Sequence, residues 1–168
     1  MKIYSLFQQV QRWWALALVV FALDWITKQW VETSIAYAQT ISVFPFFNLT
    51  LRYNTGAAFS FLADMGGWQR WFFSFIALAV VVAISWRLVK ISTTNRWEAL
   101  SLSLILGGAM GNLYDRLFYG HVVDFLELHW QHSWFFPAFN IADSAITLGV
   151  VLMLFESLVA KPQKGTKK

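Results

Sequence analysis

Along the chain, hydrophobic and polar positions fall into four long apolar runs separated by segments of a different period. The runs cover about residues 13–30, 71–89, 97–113 and 139–159, and each approaches the ~20 residues that an α-helix needs to cross a bilayer. Shorter apolar pieces such as FPFF at 44–47 are too brief to span. Between the runs the pattern changes. FNLTLRYN at 47–54 alternates apolar and polar residues, the mark of a half-buried strand. GHVVDFLEL at 120–128 is rich in β-branched and apolar residues and predicts a second short strand. Open strand edges are not tolerated in hydrocarbon, so these strands belong in a small sheet on the outer membrane face. The expected fold is an integral membrane all-α protein with four transmembrane helices and a small extracytoplasmic β-sheet region. One domain would cover 1–160, with outer connections at 31–69 and 116–138 and a basic cytoplasmic tail, KPQKGTKK, at 161–168.

Composition strengthens the membrane reading. Hydrophobic residues make up 58% of the 168 and charged ones 13%, against roughly a quarter charged in soluble domains. Ten Trp and sixteen Phe fit interfacial aromatic belts. The net charge of +4 does not point to nucleic acid, because the basic residues are dispersed and no basic face alternates with stacking aromatics. With no cysteine, thiol nucleophiles, thiolate metal sites and disulfides are excluded.

Charge placement sets an orientation. Lys2, Arg12, Arg87, Lys90, Arg96, Lys161, Lys164, Lys167 and Lys168 fall on one side, while Arg52, Arg70 and Arg116 fall on the other. Cytoplasmic loops carry the excess of Lys and Arg, so both termini are expected in the cytoplasm. The first run resembles a signal peptide with an Ala-x-Ala at Ala36 to Ala38, but Asp24, Lys28 and Glu32 interrupt it. It reads as a retained helix.

The candidate chemistry lies in ionisable residues at one depth. Asp24 and Lys28 lie near the outer end of the first run, Asp115 and Arg116 close the third, Asp143 opens the fourth, and Asp124 lies between those two. Each has an ordinary structural reading. Asp24 and Lys28 are spaced for a helix-surface ion pair. Asp115 and Arg116 have the charges to pair with them across helices. Asn140 with Asp143 resembles a capping box, and the helix dipole favours the negative charge. Gly107-x-x-x-Gly111 fits close helix packing. Yet two bases cannot neutralise four acids. At least two carboxylates must then share a proton or face water, and two close carboxylates have their pKa values driven apart. Such a pair can hold a water, the ionised member taking its proton while the other donates to the oxygen or leaving amine.

Other chemistries fit less well. Ser144 adjoins Asp143, and His121, His129 and His132 are present, but no G-x-S-x-G occurs. His129-x-x-His132 with Glu127 is not H-E-x-x-H, and HWQHSW at 129–134 reads as an interfacial loop with solvent-facing histidines. The GxGD pattern of presenilin-like proteases is missing as well. No metal and no cofactor is expected. A proton-coupled transporter or channel subunit is the alternative from another class, since intramembrane carboxylates also mark ion paths. Against it, the acids sit at one depth and no repeat with interrupted helices is visible.

Five blocks in order, LDWITK at 23–28, RYNTGAAFS at 52–60, GGAMGNLYDR at 107–116, GHVVDF at 120–125 and FNIADSA at 139–145, closely resemble the bacterial lipoprotein signal peptidase (signal peptidase II) family. The resemblance implies that Asp124 and Asp143 are the catalytic dyad of an aspartyl protease. It further implies that Asp24, Lys28, Asn54, Gly56, Gly108, Asn112, Asp115, Arg116, Asn140 and Ala142 bind substrate or support the site. By the same resemblance the substrates are prolipoproteins with a diacylglyceryl cysteine, globomycin-like cyclic peptides inhibit, and membrane lipid is the medium. The location would be the bacterial cytoplasmic (inner) membrane, with the site near its outer face. Asn54 and Gly56 are expected to bond the substrate backbone, and Asp115 and Arg116 to brace the loop carrying Asp124. The dipole at Asn140 would keep Asp143 ionised as the base, leaving Asp124 to hold the proton.

Overall fold

The computed structural model describes residues 2–56, 67–91, 95–131 and 133–159, with side chains from 11 onward. The tail at 161–168, His132 and residues 57–60 of the second motif block lie outside the described residues. Four helices, α1 (Lys2–Ser34), α2 (Trp68–Lys90), α3 (Arg96–Phe118) and α4 (Ile141–Val159), make up most of the described chain. Between them come strands β1 (Thr40–Phe44), β2 (Phe47–Asn54), β3 (Val122–Trp130) and β4 (Trp134–Phe135), which form one antiparallel sheet in the order β1-β2-β3-β4.

Three of the helices are long and apolar enough to cross a membrane, over Gln11–Ser34, Trp68–Lys90 and Ile141–Val159. The fourth expected span, α3, is as long as α2 at 23 residues but lacks their composition. The reason is its position. It packs against α1, α2 and α4, and its buried residues include Ser101, Ser103, Gly107, Gly108, Gly111 and Asn112. A helix enclosed by protein needs small residues that let neighbours approach, not a lipid-facing surface. The other helices carry that surface, with Leu18, Val19, Phe75, Val82, Leu154 and Phe155 all exposed. The small residues on α3 and α4 set the approach. A Cβ on Gly107 would lie 2.7 Å from Val20 Cβ of α1, and one on Gly149 would lie 2.7 Å from the Ser101 carbonyl of α3.

Both strands read from the sequence are present, β2 with the expected limits and β3 shifted two residues toward the C-terminus. β1 and β4 were not legible. FPFF at 44–47 is the hairpin between β1 and β2, where Phe44 pairs with Phe47. The stretch 129–134 is not a solvent-facing loop throughout: His129 belongs to β3 and is buried. The sheet packs on the end of α1, where Leu51, Val123 and Phe125 meet Val31 and Ile35. A second apolar cluster, with Ala17, Leu88, Leu102 and Leu106, fills the bundle farther from the sheet.

Pairing between β2 and β3 contains a one-residue bulge. Leu49 pairs with Leu126 and Arg52 with Asp124, so three steps on β2 oppose two on β3. Directly opposed residues share a face, as do residues two apart. The bulge thus puts Arg52 and Asn54 on the face of Asp124, where unbroken alternation would have put Leu51 and Tyr53.

Candidate active site

Three chain segments converge where α3 ends, β3 begins and α4 starts. α3 closes with Gly120 in the left-handed region at φ 85°, which lets the chain turn sharply after the helix. Two residues later β3 begins, and it carries Asp124. The lead into α4 is pinned to β3, since Phe139 O accepts from Phe125 N at 2.9 Å and Phe139 N donates to Leu126 O at 2.9 Å. Asn140, the next residue, is fully buried and stands against Asp124.

Asn140 caps α4 as the sequence indicates. Its Oδ1 accepts from the Asp143 backbone N–H at 2.9 Å, and Asp143 Oδ2 accepts from the Asn140 N–H at 3.3 Å. That is a reciprocal capping box. The Asn140 Nδ2 group also donates to Asp124 Oδ1 at 2.8 Å and to the Val123 carbonyl at 3.2 Å. One residue therefore caps the helix and touches both carboxylates, Asp124 and Asp143.

The four carboxylates divide into two pairs. Lys28, 1% exposed, lies 2.6 Å from Asp24 Oδ2 and 2.8 Å from Asp115 Oδ2, and it donates to Asn112 Oδ1 at 3.2 Å. Its three protons are thus all used. Asp24 Oδ1 accepts from the Ala142 N–H of α4 at 2.8 Å, and Asp115 Oδ2 accepts from the Val123 N–H at 3.2 Å. This first pair shares Lys28 as its counter-ion and ties α1, α3, α4 and β3 together. The second pair, Asp124 and Asp143, has no ion-pair partner among the described residues. Neutral amides hold it instead: Asn54 Nδ2 reaches Asp124 Oδ2 at 3.0 Å, and Asn112 Nδ2 reaches Asp143 Oδ1 at 2.8 Å.

Burial, and next the charge of Asp143, push the Asp124 carboxyl up to about 7, against the opposing pull of the Asn54 bond, the Lys28 charge and the Asn140 bond. A carboxylic acid near neutrality exchanges its proton readily at physiological pH, which suits general acid–base work.

The remaining site residues fall into supporting places. Gly108 of α3 lies against the Ala142 carbonyl, and a Cβ there would come within 2.8 Å of Ile146 Cγ1. Gly56 donates its N–H to Asn54 Oδ1 at 2.9 Å and accepts on its carbonyl from Arg116 at 3.0 Å. Both of its backbone groups are engaged within the protein. Of the two expected braces, Asp115 holds the segment of Asp124 through Val123. Arg116 instead holds the end of β2 through Gly56, and the Asn112 carbonyl at 3.3 Å. Its guanidinium forms no ion pair with a carboxylate among the described residues.

Sequence reasoning missed three contributors. Gly111 read only as a packing glycine, yet a Cβ there would collide with the Asp24 carboxylate. Arg70 counted only as a flanking charge. It donates to the Arg116 and Leu117 carbonyls at 2.7 and 2.9 Å, a cation closing the C-terminal end of α3. Arg52, opposite Asp124, had no signal because the bulge is invisible in the residue pattern.

Clefts reach Asp124 and Asp143 from two sides. Asp143 lines two apolar ones, of about 430 Å³ beside Phe136, Leu148 and Val151, and of about 400 Å³ between Phe73 and Val80 of α2 and Ile105 of α3. Asp124 lines a smaller pocket of about 230 Å³ on the sheet side, with Arg52, Asn54, Glu127 and Tyr37.

An amide-held carboxylate pair at one end of a lipid-facing helical bundle defines a membrane protein with an enzyme-like polar centre. Two solved bacterial membrane enzyme structures, determined by the in meso method, share the fold. One is 32% identical with TM-score 0.79 over 92% of each chain, and the other is 32% identical with TM-score 0.73 over 88% of this chain and 92% of that one. The family described as Signal peptidase (SPase) II matches residues 16–159. The lipoprotein signal peptidase of Cellvibrio japonicus (strain Ueda107) is 48% identical over 160 residues, 95% of this chain and 93% of that one. That of Pseudomonas aeruginosa strain PAO1 is 49% identical over 150 residues, 89% of each. The chain belongs to the signal peptidase II family.

Proposed function

We propose that the chain is an aspartic endopeptidase of the bacterial cytoplasmic membrane, which removes signal peptides from prolipoproteins carrying a diacylglyceryl cysteine. The observation that carries this reading is the division of four clustered acids into a pair that shares Lys28 as counter-ion and a pair, Asp124 and Asp143, held only by amides. Membership of the signal peptidase II family and the names of the relatives supply the substrate class.

In the reaction a water lies between the two carboxyls. Asp143, ionised, takes one proton as the water oxygen attacks the scissile carbonyl carbon. Asp124, protonated, donates to the carbonyl oxygen as the tetrahedral intermediate forms. Collapse breaks the C–N bond, and the proton held by Asp143 passes to the departing amine. The carbonyl re-forms and returns the other proton to Asp124, leaving a new carboxyl on the signal peptide and a new amine on the lipidated cysteine. Protons balance across the cycle, and each group returns to its starting state. The apolar clefts at Asp143 suit the parts of the substrate that stay in hydrocarbon, the signal peptide's apolar segment and the acyl chains. Globomycin-like cyclic peptides would compete for the same place.

All four helices span the membrane in this reading, with both termini cytoplasmic and the sheet on the outer face. Support comes from the excess of Lys and Arg at one side and from the sheet at the end where the acids gather. The test is cleavage of a diacylglyceryl prolipoprotein in detergent. Asp124→Asn and Asp143→Asn preserve shape and are expected to lower kcat/KM at least about a thousandfold while the protein stays folded. Full activity in either variant would remove that residue from the dyad.

A further inference from the structure

The pocket on the sheet side of the dyad has a different character from the apolar clefts. Among the described residues no Val, Leu, Ile or Phe lines it; its walls there are Tyr37, Arg52, Tyr53, Asn54, Asp124, Glu127, Pro137 and Ala138. Tyr37 and Tyr53 stack at 5.2 Å between centroids and form one flat wall. Glu127 is engaged by Asn48 Nδ2 at 2.9 Å. Arg52 is different: it is exposed, sits directly across from Asp124 in the strand register, and forms no ion pair among the described residues. An unspent guanidinium in a polar pocket is a ready donor to carbonyls and carboxylates.

We propose that this pocket is the subsite for the residues that follow the scissile bond, and that Arg52 makes it favour an acidic over a basic side chain at the second of them. The inference rests on the peptidase reading and adds a direction to it. A substrate whose apolar part stays in lipid approaches through the clefts at Asp143. Its water-soluble continuation, past the lipidated cysteine, needs a polar exit, and only the Asp124 side offers one among the described pockets. The bulge in β2 is what supplies the cation there, since regular pairing would have set Leu51 in that place.

The experiment measures kcat/KM on diacylglyceryl peptides with Asp, Ser or Lys at the second residue after the scissile bond. Wild type is expected to prefer Asp over Lys by about three- to fivefold, the scale of an exposed ion pair, and the preference should shrink as salt rises. Arg52→Glu should reverse the ratio, and Arg52→Lys should keep its direction. The ratio is insensitive to any general loss of activity in a variant. Equal ratios in wild type and Arg52→Glu would overturn the subsite while leaving the peptidase standing. So would a reversal produced only by charges placed before the scissile bond. No cleavage of any lipopeptide by wild type would overturn the peptidase reading, and this subsite with it.

Discussion

Two helices of this protein begin with the same device and end up with different tasks. α3 starts at Asn95-x-x-Glu98, where Asn95 Oδ1 accepts from the Glu98 N–H at 3.2 Å. α4 starts at Asn140-x-x-Asp143, with the equivalent bond at 2.9 Å. At the first, the acid meets Arg87 at 2.6 Å, a guanidinium that is 49% exposed. At the second, the acid meets the Asn112 amide, and Lys28 is committed to Asp24 and Asp115 instead. A cap makes a carboxylate welcome at a helix start in either place. What differs is the neutralising partner: a cation quenches the acid's proton chemistry, and an amide leaves it available.

Breaking the pair held by Lys28 should have the largest effect on this contrast. Lys28→Met strands Asp24 and Asp115 as buried charges and is expected to cost about 3–5 kcal/mol, measured as unfolding in detergent. Adding Asp24→Asn and Asp115→Asn should recover much of that loss, because the cost lies in the unpaired charges. If Lys28→Met alone were neutral, the assignment of Lys28 as the partner that quenches these two acids would fail.

A middle-sized effect tests the amide-held pair. With Asp124 carrying the proton, kcat/KM should fall as pH rises through about 7. Asn54 donates to Asp124 and favours its ionised form, so Asn54→Leu should keep the proton bound to higher pH. The alkaline limb should then move up by roughly one unit. Movement downward would contradict the role given to Asn54. Stability follows the same sign. The folded carboxyl holds its proton to about 7 against an ordinary 3.8, so folded protein binds more protons between these values. Raising pH through that window destabilises it, and Asp124→Asn should flatten that part of the profile.

The smallest effect belongs to the exposed cap. Arg87→Ala should change stability by less than about 1 kcal/mol and leave cleavage kinetics as they were. A large loss of activity there would mean that the two caps are not separable.

Much of this was legible because the physics is local. Apolar runs report helices, alternation reports β2, and Asn140-x-x-Asp143 reports a cap. The sorting of four acids was not legible, because Asp24 meets the Ala142 N–H across 118 positions of sequence and only tertiary packing decides which acids Lys28 takes. α3 is written less plainly for a related reason: enclosure by three helices lets its composition depart from that of a lipid-facing span. Resemblance placed Arg116 at the site, but its attachment to Gly56, 60 positions away, is a property of the fold.

The bulge in β2 also has a bearing on chain length. Between Leu49 and Arg52 the strand is one residue longer than its partner requires. Shortening it there by one restores regular register with Arg52 still opposite Asp124 and Asn54 still beside it. Lengthening it by one must enlarge the bulge or turn Asn54 toward Val123 and away from the acid it holds. Deletions and insertions at this point are therefore unequal, and a chain with every motif residue intact can lose its site through a single added residue.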